Sequence, residues 1–291
     1  MLNSSRRFSD AVGVASVNVP NSLHSIFQSR GPPCSLAQSF SSMLASRQHQ
    51  HDNLELNHDS LLAVQSISLD FAQELLLRAD RTSMTANVEA SVKALTIDEA
   101  AAVCAYTIEN GPYAILNKLL REESIQLLDP FVDYLWLLMH GLSKCPRPTV
   151  PLVYRGVRSG VGATYNVGDF ITWCSFSSCT THAGALENDM FLGTSGARTD
   201  FHITLTSNRA RSIRHLSLIA DEEEILLPPN TRLRVMGKAD RGHGLWVVQL
   251  LEEQCLAPIL LFPGEYAAIF NPQPLYRRSL IVLFFLHRIL P

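Results

Sequence analysis

Ala220-Asp221-Glu222-Glu223-Glu224-Ile225-Leu226-Leu227-Pro228-Pro229 runs three glutamates straight into three large aliphatic residues and stops at two prolines. A short apolar run bounded by turn formers fits a buried strand better than a helix. Side chains on a strand alternate between faces, so Glu222 and Glu224 share one face and Glu223 takes the other. Two carboxylates so placed, at the mouth of a buried strand, each raise the pKa of the other and are costly unless something uses them. The bland alternative is a solvated loop that leads into a strand.

Outward from this stretch, the second half of the chain reads as short strands. They are Leu152–Arg155, Asp169–Trp173, Phe176–Thr180, Phe201–Thr206, Glu222–Leu227, Arg232–Met236 and Leu245–Leu251, with a short helix expected over Ser207–His215. The first half reads as helices. Apolar residues recur at helical spacing over Leu54–Ala79. Thr96 followed by Glu99 forms a capping box for a helix that Asn110-Gly111-Pro112 ends. Tyr113–Arg121 is a further helix, and Ser124–Leu142 another, interrupted at Pro130. The proline-rich stretch Cys145–Pro151 marks the change of texture. Helices first and strands second imply an α+β fold: an N-terminal helical lead-in packed on a split, mainly antiparallel β-sheet core. The expected division is an unstructured leader over 1–53, a domain over 54–253 (helical to 150, β-rich from 151) and a tail over 254–291 with no assigned role.

Composition narrows the function. A chain of 291 residues with 46% hydrophobic content can bury a sizeable core. A formal charge of −3 and the lack of a long basic run argue against nucleic acid. Lysines number four, so arginine carries most of the positive charge, which suits forked recognition of phosphate or carboxylate. The six cysteines form no C-x-x-C pair, so no metal is expected and the compartment reads as reducing, hence cytoplasmic. No apolar h-region opens the chain, and Leu280–Leu286 is too short to span a bilayer.

Three pieces of the strand half stand out. Val153-Tyr154-Arg155-Gly156-Val157 puts a guanidinium on an apolar strand, where it needs an anion, internal or bound. Phe176-Ser177-Ser178-Cys179-Thr180 is a run of hydroxyls beside an aromatic, and the acidic strand is the third. In this order they resemble the Arg–Ser–Glu signature of mono-ADP-ribosyltransferases, and are similar to the arginine-specific branch that includes vertebrate ecto-enzymes and binary clostridial toxins. The resemblance runs from Leu95 to Glu253, with Phe191-Leu192-Gly193 and Leu245–Leu250 in support.

The resemblance implies a role for each matching residue. Arg155 and Gly156 would hold the pyrophosphate side of NAD. Ser178 would sit by the nicotinamide ribose and orient the catalytic Glu224. Glu222 would receive the target arginine, and Phe191 would wall the nicotinamide. The implied activity is transfer of ADP-ribose from NAD, with NADP open as an alternative, to a protein arginine, by a monomer with no membrane span.

The chemistry agrees. Breaking the nicotinamide–ribose bond develops positive charge on the sugar, and a fixed carboxylate beside it is worth most in the transition state. An incoming arginine is cationic, and a second carboxylate can dock it and take its proton. Glu223, facing away, is expected to be a solvated bystander. The triplet here is Ser178-Cys179-Thr180 where the family has Ser-Thr-Ser. A NAD glycohydrolase, or a silent NAD-binding or interaction module, remains open as another reading.

Overall fold

The computed structural model describes residues 35–46, 57–78, 84–122, 125–187, 192–207, 209–218 and 223–254. All of them fall in one compact unit, Met1–Leu260; the unit Leu261–Pro291 lies outside the described residues.

The helical part comprises α1 (Leu36–Ser46), α2 (His58–Arg78), α3 (Ala86–Ala94), α4 (Ile97–Thr107), α5 (Tyr113–Glu122), α6 (Ile125–Leu128) and α7 (Val132–Lys144). The expected capping box is present at α4: Glu99 N–H donates to the Thr96 hydroxyl, and Thr96 N–H donates to Glu99 Oε2. The Glu99 carboxylate also pairs with Lys144 at 2.6 Å, which ties α4 to the end of α7. Asn110 turns the chain after α4 with φ 63°. Next to it, Gly111 lies so close to that helix that a Cβ would meet the Ala105 carbonyl oxygen at 2.5 Å. Pro130 converts the chain between α6 and α7 into a 3-10 turn, Asp129–Phe131, as its missing N–H requires.

Two expectations are corrected. Part of the stretch expected to be unstructured forms α1, whose Leu36, Phe40 and Met43 are buried. The cause is tertiary: Phe40 packs edge-on against Tyr134 of α7 at 5.9 Å, and Leu36 N–H donates to Asp98 Oδ1 at 2.7 Å. The short helix expected over Ser207–His215 is instead a two-residue strand, Arg211–Ser212, followed by a 3-10 turn, Arg214–Leu216. Pairing with a sheet edge supplies the hydrogen bonds that a lone helical turn would leave unmade. Helix α3 was not foreseen.

The strands are β1 (Leu152–Val157), β2 (Phe170–Trp173), β3 (Ser177–Thr180), β4 (Arg198–Thr204), β5 (Arg211–Ser212), β6 (Glu224–Leu227), β7 (Thr231–Asp240) and β8 (Leu245–Glu253). They join in the order β2-β7-β8-β4-β1-β3-β6-β5, antiparallel except between β4 and β8. The sheet is split as expected. Strand β1 pairs with β4 from Leu152↔Thr204 to Val157↔Thr199, but with β3 at Tyr154↔Thr180 alone. Beyond that pair β1 and β3 part company, and the two halves of the sheet diverge. Val153, Phe201, Cys179, Ile225, Leu227 and Val248 form the core that both halves share.

Candidate active site at the sheet seam

The site is built where β1, β3 and β6 meet. Register places Thr180 opposite Glu224 and Ser178 opposite Leu226, so Ser178, Thr180 and Glu224 share one face. On that face the Ser178 hydroxyl donates to Glu224 Oε1 at 2.7 Å. Both residues are buried, Glu224 completely. The register also settles which glutamate turns toward Ser178: it is Glu224.

Arg155 is 3% exposed. Its Nη1 donates to the Ser178 carbonyl at 2.8 Å, and its guanidinium lies 5.9 Å from the Trp173 ring centre. Arg155, Ser178 and Glu224 therefore form one connected line: guanidinium to main chain, hydroxyl to carboxylate. Gly156 follows, and a Cβ there would approach Leu192 Cβ to 3.1 Å. The missing side chain at Gly156 is what lets Leu192 and Leu186 pack against the main chain there. Phe191 and Glu222 lie outside the described residues.

The departure in the hydroxyl triplet has a structural reading. Cys179 pairs with Ile225 and faces the core, away from Ser178. Burial pushes its thiol up to about 12, Arg155 pulling it down and Glu224 pushing it up in lesser degree. The middle position of the triplet is thus a packing position, so a thiol serves there. Thr180 keeps its hydroxyl, which accepts from His182 N–H at 3.2 Å.

Glu223 is a correction. It does face away from Glu224, but it is no bystander. It accepts from Arg214 Nη1 at 3.1 Å and from the Thr181 hydroxyl, and lies 3.2 Å from His182 Nδ1. Partners contributed from beyond β3 and β5 hold it, and nothing local in the sequence announces them.

Sequence reasoning also missed Asn117 of α5. Buried at 4% exposure, it accepts from Phe176 N–H at 3.1 Å and donates to the Tyr106 hydroxyl at 2.9 Å. The Tyr106 ring in turn packs on Phe176, centre to centre 5.4 Å. The helical part thereby fixes the chain two residues before Ser178. A lone Asn in an amphipathic helix carries no signal that could have found this.

Among the described residues no group of three or more His, Cys, Asp or Glu side chains is placed to hold a metal ion. No described helix is long and apolar enough to cross a membrane.

The type III effector XopAI of Xanthomonas axonopodis pv. citri aligns over 86% of this chain and 99% of its own, with TM-score 0.55 and 15% identity, a likeness of fold. The Vis toxin, an ADP-ribosyltransferase from Vibrio splendidus, aligns over 75% of this chain and 92% of its own, with TM-score 0.46 and 17% identity. In sequence, the family described as NAD:arginine ADP-ribosyltransferase matches residues 45–255. The chain belongs to that family. A Mycobacterium avium (strain 104) protein, Mav, provisionally named a NAD(+)–arginine ADP-ribosyltransferase, is 30% identical over 168 residues. That match takes in 54% of this chain but 18% of Mav, so the chain spans a small part of that relative's length.

Proposed function

We propose that this protein transfers ADP-ribose from NAD to the side chain of a protein arginine and releases nicotinamide. The single observation that carries the reading is the line from Arg155 through Ser178 to Glu224. It fixes a carboxylate against a strand, held before any substrate arrives, as electrostatic stabilisation of a developing cation requires.

In this reading the glycosidic bond between ribose C1′ and the nicotinamide nitrogen breaks, and its electron pair leaves with nicotinamide. Glu224 grips a ribose hydroxyl beside the oxocarbenium-like carbon. Ser178 holds the carboxylate in place. A guanidinium nitrogen of the acceptor forms the new bond to C1′, and Glu222 takes the proton released. Arg155 supports Ser178 from the core side and serves the pyrophosphate, with Gly156 next to it in the same segment. Phe191 walls the nicotinamide. NADP is an alternative co-substrate, distinguished by its 2′-phosphate. We take the working unit to be a monomer in a reducing cytoplasm; the buried thiols of Cys145 and Cys179 fit that setting.

Incubation with labelled NAD, with and without agmatine, tests the reading. Label on agmatine is the expected result. Free ADP-ribose alone would make the protein a glycohydrolase, and neither product would make it a silent module. Glu224→Gln should lose both transfer and hydrolysis, and Glu222→Gln should lose transfer while keeping much of the hydrolysis. Equal loss from the two changes would sink this division of labour.

A further inference from the structure

A cavity of about 370 Å3 lies beside the acidic strand but apart from the Ser178–Glu224 pair. Its walls come from four places in the sequence, Thr181 just after β3 among them. Thr85 precedes α3, Pro146, Arg147 and Pro148 belong to the stretch after α7, and Arg214 and Glu223 flank β6. Register explains why this space is separate. Ser212 pairs with Ile225, and Ile225 with Cys179, so the strand face that borders the cavity is the one Glu224 turns away from.

The charge of the walls is lopsided. Arg214 is matched by Glu223, which it touches at 3.1 Å. His215 is neutral at physiological pH, because burial pushes its pKa down to about 4. Arg147 is exposed and, among the described residues, makes no ion pair or hydrogen bond. Among the described residues, that leaves the Arg147 guanidinium at the rim with no ion-pair partner. The prolines on either side of Arg147 restrict its backbone, so the charge stands at a stiff edge.

We propose that this cavity docks the acceptor protein, taking an acidic side chain that lies within a few residues of the target arginine; this rests on the transferase reading above. Glu223 and Glu224 are adjacent at the very start of β6, on opposite faces. A segment that crosses this strand end can set its arginine on the Glu224 face and, at about 3.3 Å per residue, a residue a few positions away over the cavity. Arg147 supplies the charge an acidic residue seeks, and the Arg214–Glu223 pair keeps the shared wall in place. A small acceptor such as agmatine cannot reach the cavity and is indifferent to it.

Three synthetic peptides test this, identical in length with one arginine each and flanked by Glu, Ala or Lys. Agmatine serves as the fourth acceptor, with labelled NAD throughout. The wild-type protein should modify the Glu-flanked peptide with kcat/KM about fivefold above the Ala-flanked one, the scale of one exposed ion pair. The Lys-flanked peptide should be the poorest. Arg147→Ala should erase the preference and Arg147→Glu reverse it, with the agmatine rate kept in both. Flank-independent rates, or a preference that survives Arg147→Glu, overturn the docking proposal while labelled agmatine leaves the transferase reading standing. No label on agmatine overturns both.

Discussion

At the scale of residues, the connection between Arg155, Ser178 and Glu224 separates two kinds of defect. Removing the Ser178 hydroxyl frees the carboxylate it holds but leaves the rest of the site. A hydrogen bond to a charged group contributes about 1.5–3 kcal/mol, so Ser178→Ala should lower kcat about 10- to 100-fold with a small change in KM for NAD. Arg155→Lys keeps the charge but not the fork, which reaches the Ser178 carbonyl and, in the proposed reading, a phosphate. It should raise KM for NAD as well as lower kcat, and steady-state kinetics on purified protein would tell the two patterns apart. Unchanged KM in Arg155→Lys would remove that residue from the nucleotide. The contact of Ser178 with Glu224 was legible because strand alternation is local and the acidic run is short. The work of Glu223 was not, because Thr181, His182 and Arg214 reach it only once β3, β5 and β6 are assembled.

Elements show the same division. Helix α4 was readable from its cap, whose signals lie within four residues of one another. Strand β6 was readable from its composition. Helix α1 was not, since a Ser-rich segment hides three buried apolar side chains, one of which, Phe40, meets its partner Tyr134 only in α7. Strand β5, two residues long, is below any period a sequence can display. The burial of Phe40 against Tyr134 makes α1 part of the fold. Phe40→Ala should cost about 3–5 kcal/mol, measured as a loss in denaturant midpoint. A change below about 1 kcal/mol would mean that α1 is dispensable.

For the whole molecule, acid is the informative variable. Burial holds the His215 pKa at about 4, where an unfolded chain protonates near 6.5. Between those values the unfolded state binds a proton that the native state refuses, so stability falls as pH drops from about 6.5 to about 4 and is intact above that window. The effect is worth up to about 3 kcal/mol. Urea titrations at several pH values should show this loss, and His215→Gln should flatten it. An unchanged slope in the variant would place the acid sensitivity elsewhere.

The seam between β1 and β3 bears on how the chain can be divided. Strands β1, β2, β4, β7 and β8 make one half of the sheet, and β3, β5 and β6 the other. In chain order the polypeptide passes from one half to the other between β2 and β3, β3 and β4, β4 and β5, and β6 and β7. No single cut can therefore sort the halves into separate pieces. A break between β3 and β4 leaves each fragment holding strands whose partners are on the other. Co-expressed, such fragments should reconstitute the fold by complementation, and either one alone should yield no folded product.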